Sequence, residues 1–182
     1  DRRIKKNIVE INDASSLEKL RLLKPSYYEY IDPIKKNYNV VEGFIAQEVK
    51  EIMPYAVKMI EEVIPNIFQR GNCELESSNT YIVTLSDYDT ANLEVDSSGN
   101  IYPELKLYDP SNNEIDTTIK EVVSSTKIRV ESDKNIPNEV FVYGQHVDNF
   151  NYLQKERVFT IGISALQEVD RQQQADKARI AT

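Results

Sequence analysis

The apolar positions of this chain fall into three successive rhythms. In the first, a polar start gives way to Ile8, Val9 and Ile11. Leu17, Leu20 and Leu23 then recur at spacings of three, which places them on one face of a helix over 14–23, with Asp13 as its N-cap. Pro25 ends that helix, because the residue before a proline is driven out of helical torsions. Runs at 27–31 and 40–45 predict two strands of a hairpin around a polar turn over 32–38 that holds Pro33. A short helix over 46–53 stops at Pro54, and a mixed run follows over 56–64.

In the second rhythm, from about residue 66, short apolar stretches alternate with turn signals. The stretches are 81–85, 105–108, 115–123, 127–130 and 140–143; the turns are 97–100, 109–113 and 133–138. This pattern predicts a small antiparallel β unit, a barrel or a compact sandwich. In the third, from about Tyr152, Val158, Ile161, Ala165, Val169, Gln172 and Ile180 approach alternating spacings of three and four, which predicts a long C-terminal helix. Its end, 170–181, is almost wholly polar and buries too little to be stable alone. Partner helices sharing a seam of apolar and glutamine positions would stabilise it; a frayed tail is the plainer alternative.

Composition narrows the function classes. Of 182 residues, 40% are hydrophobic and 29% charged, as expected for a globular chain. The net charge of −8 disfavours general binding to nucleic acid or to an anionic membrane surface. A single cysteine, Cys73, rules out an internal disulfide and reads as an incidental thiol; a single histidine, His146, reads as a polar loop or strand residue and argues against a Cys/His metal cluster or a Ser-His-Asp triad. No cofactor, metal, nucleic acid or membrane partner is expected. The start at Asp1 without a methionine reads as a fragment or cleavage product.

Three segments carry a further signal: Asp1-Arg2-Arg3-Ile4-Lys5-Lys6-Asn7-Ile8, then Gly43-Phe44-Ile45-Ala46-Gln47-Glu48-Val49 with Pro54 and Val57 following, then Tyr152-Leu153 before a helix that carries Ala165-Leu166-Gln167-Glu168-Val169. In this order they resemble the intramolecular chaperone domain of endosialidases, phage tail spikes and neck appendages, which has a related domain in the myelin regulatory factor of animals. The resemblance covers roughly 1–65 and 149–182.

The resemblance implies an α+β fold: a chaperone core begun by 1–65, an inserted antiparallel β lobe over 66–148, and a helix over 149–182 that completes the core and forms a trimeric helical bundle. It also implies a chemistry. The chain is cut before a serine that attacks the preceding carbonyl, with a lysine as general base. Aligned here, the lysine is Lys5, with Asp1 and Arg3 in support, and the serine would immediately precede Asp1, so this chain cannot itself perform the cleavage. An amine acts as a base only when neutral; burial and like charge both favour that form, and Arg3, Lys6 and the same segment of other copies would supply like charge. For Gly43 to Val49, plain packing with Ile45, Val49 and Ile52 inward accounts for the pattern.

The implied partners are a homotrimer and the upstream fibre or spike domain of the same precursor. The implied setting is the cytoplasm of an infected cell during assembly, with the parent protein in the virion. A non-cleaving trimerisation cap shares the fold, and a release domain of a membrane-tethered transcription factor is the cellular counterpart. The residue before Asp1 separates the first pair; an upstream DNA-binding domain and a downstream membrane span would mark the last.

Overall fold

The structure is a computed structural model and describes residues 1–36 and 39–181. It is mixed α+β. Its elements are α1 (Asp13–Leu22), β1 (Ser26–Tyr28), α2 (Pro33–Lys36), β2 (Val41–Gly43), α3 (Ala46–Ile52), β3 (Val57–Val63), β4 (Gln69–Ser77), β5 (Thr80–Leu85), β6 (Glu104–Tyr108), β7 (Glu114–Ser124), β8 (Lys127–Glu131), β9 (Glu139–Leu153) and α4 (Lys155–Ile180). They divide between two compact units. One comprises Asp1–Tyr28, Glu42–Lys58 and Asn151–Thr182; the other comprises Glu29–Val41 and Met59–Phe150.

The first unit is built around α1, α3 and α4. Asn12, not Asp13, caps α1: its side chain accepts from the Ser15 N–H at 2.9 Å. The correction is one of register, since both residues are good caps, and it leaves the Asp13 carboxylate free for α4. Leu17 and Leu23 are buried as the spacing predicts, whereas Leu20 is 36% exposed. Val49, Met53, Ala56, Val57, Val158 and Ile161 form the core with Leu23, and Phe44, Ile52 and Leu153 pack against it. Ile45 is not inward as the pattern predicts; it stands at the N-cap of α3 and is 38% exposed. Strands β1 and β2 pair as a hairpin, each only three residues long.

The second unit is a closed antiparallel barrel. Strands run β9-β4-β5-β8-β7-β6, and β6 returns to β9 to complete the ring. Alternate residues point inward, as Tyr81, Val83 and Leu85 do on β5, and meet Leu105, Leu107, Ile128, Val130, Val140 and Val142 in one core. Closure removes the exposed edges that an open sheet would leave. Strand β9 is far longer than the predicted 140–143. Its second half is polar, so no hydrophobic alternation marks it, and its place in the sheet between β3 and β4 identifies the strand. Strand β4 escapes the pattern for a similar reason, because Arg70, Gly71, Asn72 and Glu74 interrupt it.

The predicted turn over 32–38 contains α2, held by Asp32, whose Oδ1 accepts from the N–H groups of Ile34 and Lys35 at 3.1 and 3.0 Å; the end of that turn, Asn37 and Tyr38, lies outside the described residues. Tyr143 donates its hydroxyl to Asp32 Oδ2 at 2.9 Å, and Lys35 sits 4.3 Å from the centre of its ring. Burial and the neighbouring Asp32 carboxylate both raise the Tyr143 phenol above its ordinary range.

Candidate functional site

The residues that carry the resemblance begin in an arm without a core of its own. Every residue from Asp1 to Asn12 is exposed. A single 3-10 turn, Arg2–Ile4, is capped by Asp1, whose carboxylate accepts from the Arg3 N–H at 2.8 Å and pairs with the Arg3 guanidinium at 2.5 Å. Lys5 closes that turn through its N–H to the Arg2 carbonyl at 3.1 Å and leaves it in extended conformation. The structure therefore brings Asp1 and Arg3 together and leaves Lys5 exposed. The arm is also apolar: Ile4 and Val9 are each 84% exposed, Ile8 56% and Ile11 47%.

The second motif is structural. Gly43 lies across the hairpin from Tyr28, whose hydroxyl would stand 2.8 Å from any Cβ added there. Phe44 leads into α3, which seats Val49, only 1% exposed, in the core. Gln47 is exposed.

The third segment, α4, carries two stripes. Val158, Ile161 and Ala165, whose spacing predicts the helix, are buried within this chain. Polar side chains add to that packing: Ser164 Oγ lies 2.6 Å from Asp13 Oδ1 and 3.0 Å from Ser16 Oγ, and Arg171 pairs with Asp13 at 2.7 Å and with the buried Glu168. The other stripe faces solvent: Phe159 is 70% exposed, Ile163 45% and Leu166 63%. Sequence reading missed it, although its spacings of four and three were visible, because the neighbouring stripe fits the same helical period. Gln172 and Ile180, which continue the same spacing, lie exposed further along.

Neither unique side chain enters a site. Cys73 is 1% exposed inside the barrel, and burial, then the Glu74 charge, push its thiol up to about 12, so it is neither nucleophile nor ready ligand. His146 sits on β9 with Nδ1 3.1 Å from a Glu104 carboxylate oxygen. No group of three or more His, Cys, Asp or Glu residues that could hold a metal occurs among the described residues, and none of their helices is long and apolar enough to cross a membrane.

The arm and the Gly43–Val49 segment with α3 thus both belong to the first unit, in its pieces Asp1–Tyr28 and Glu42–Lys58. Residues 1–58 match the chaperone of endosialidase family. The match ends within β3, so the endosialidase-chaperone pattern covers the arm and α1 to α3, while the barrel and α4 lie beyond it. Across 99% of its length the chain is also similar, at 29% identity, to the VP1 protein of Micromonas pusilla reovirus. It spans only 12% of that viral relative.

Proposed function

We propose that this chain is the C-terminal intramolecular chaperone of a viral fibre or spike protein, which assembles as a homotrimer, drives folding of the upstream domain, and is released by self-cleavage. The observation that carries this reading is the exposed stripe Phe159, Ile163 and Leu166 on the unit that holds the chaperone motifs. Three large apolar side chains aligned on one helix face are what a shared helical seam requires. The match to a small fraction of a much larger viral protein supports a module that serves another domain.

In the cleavage step, the serine before Asp1 adds its hydroxyl oxygen to the preceding carbonyl. Lys5, neutral, takes the hydroxyl proton and returns it to the departing amide nitrogen. The resulting ester is hydrolysed by water, which frees a carboxylate and restores the hydroxyl. Lys5 is exposed in the single chain; assembly supplies the burial and like charge that favour a neutral amine. Release removes the folding template and leaves the mature fibre held by its unfolding barrier.

Sedimentation at micromolar concentration is expected to give a trimer mass, and a monomer would overturn the reading. In a precursor that includes the upstream domain and the serine, Lys5→Ala and Lys5→Arg are both expected to remain uncleaved yet trimeric, since arginine stays charged. Normal processing of either on a denaturing gel would overturn the assignment of Lys5, and an uncleaved wild-type trimer would favour the non-cleaving cap. The chaperone acts in the cytoplasm of the infected cell; blotting purified virions is expected to find the parent protein without this released module.

A further inference from the structure

We infer that the N-terminal arm is exchanged between copies: residues 4–11 of one chain lie on the Phe159-Ile163-Leu166 stripe of a neighbouring chain, and this docking is what buries Lys5. The inference rests on the trimer reading and adds the segment that completes its interface.

The argument starts from area. At the exposures observed, the helix stripe offers on the order of 350 Å² of side-chain surface per chain. A stable, specific interface buries roughly 800 Å² on each partner. The rest of α4 cannot make up the difference, because from Asp170 to Arg179 it presents only polar and small side chains, and Ile180 is isolated at its end. The arm holds the missing surface. Ile4, Ile8, Val9 and Ile11 expose a further area on the order of 400–500 Å², so stripe and arm together approach the requirement.

The arm's own chain does not bury these side chains, although Asn12 fixes the point where the arm leaves α1. Lys5 leaves the 3-10 turn in extended conformation, Asn7 bends the arm at φ 54°, and the segment stays exposed throughout, which lets it reach a second molecule. Lys5 lies between Ile4 and Ile8, so a contact that buries those residues also removes water from Lys5. The arms then couple assembly to chemistry: in an unassembled chain Lys5 is open to solvent, and only a docked arm carries a desolvated lysine.

A photo-reactive benzoyl-phenylalanine in place of Val9 tests this on the whole chain. Isotopically light chains that carry the probe are mixed with heavy wild-type chains, refolded together and sedimented, which scores the trimer separately. After irradiation, peptides are sequenced by mass spectrometry. Exchange predicts adducts from position 9 to peptides within 155–169, with heavy partners in proportion to the share of heavy chain in the mixture. A trimer whose adducts are all light-to-light within one chain, or that join position 9 to peptides outside 155–169, or that yields none, overturns the exchange and leaves the trimer standing. A monomer overturns both. A second probe at Ile4, on the far side of Lys5, is expected to label the same helix and guards against a local effect of the first substitution.

Discussion

At the residue scale, two loops of the barrel repeat one device. In Asp96-Ser97-Ser98-Gly99-Asn100 and in Asp109-Pro110-Ser111-Asn112-Asn113, the first carboxylate accepts from the backbone N–H groups two and four residues on and from the side chain of the closing asparagine. The fourth residue is left-handed in both, Gly99 at φ 83° and Asn112 at φ 65°, which are the residue types that tolerate it. These hydrogen bonds hold both Asp96 and Asp109 below the usual carboxylate range. A carboxylate depressed in the folded state stabilises it above the unfolded pKa and loses that contribution as pH falls through the folded value. Stability is therefore expected to fall on acidification below about pH 4, and Asp96→Ala with Asp109→Ala should flatten that part of a thermal-melting profile against pH.

Gly144 illustrates a second residue-scale constraint. A Cβ there would lie 2.0 Å from the Ile64 carbonyl and 2.5 Å from Asn66 Oδ1. Asn66 is itself tied to the fully buried Gln145, whose Oε1 accepts from Asn66 and the Glu94 N–H and whose Nε2 donates to the Tyr102 carbonyl. Gly144→Ala must displace backbone, so it is expected to destabilise by at least about 2 kcal/mol in denaturant unfolding.

At the scale of elements, α4 is the informative one. Its buried stripe and its exposed stripe respond to different tests. Ala165 is fully buried, so Ala165→Leu overpacks the helix core and is expected to cost about 1–3 kcal/mol of stability. Leu166→Glu lies on the exposed side; it should leave the melting temperature of an isolated chain nearly unchanged but convert a trimer to monomers in sedimentation. If both substitutions affected only folding, the exposed stripe would have no role in association.

At the scale of the whole molecule, charge is segregated. Residues 59–150 hold 17 acidic and 6 basic residues, and 29–41 hold two of each, so the barrel unit carries −11; the total of −8 leaves +3 on the other unit. In the proposed trimer, three such barrels repel each other through solvent, and salt screens that repulsion. Trimer association is therefore expected to strengthen between about 10 mM and about 0.5 M salt. Replacing 66–148 by a short Gly/Ser linker is expected to preserve the trimer and to weaken that dependence. The replacement changes only the length of a connection, and loop length costs only about 0.6 kcal/mol per doubling. An insoluble or monomeric deletion variant would instead give the barrel a share of the interface.

What the sequence alone determined was what local chemistry dictates. Periodicity located α1 and α4, Pro54 marked the end of α3, the turn residues at 97–100 and 109–113 separated the barrel strands, and short motifs in order carried a resemblance to the endosialidase chaperone that the family match over 1–58 supports. Tertiary structure decided whatever depends on which surface meets which. The strand β4 and the polar half of β9 exist because pairing satisfies their backbone, whatever their side chains prefer. The ring closes because β6 reaches β9, a contact between residues far apart in the chain. Above all, the period of a helix states which residues share a face, not what that face touches. Val158, Ile161 and Ala165 met their own chain, and Phe159, Ile163 and Leu166 were left to solvent.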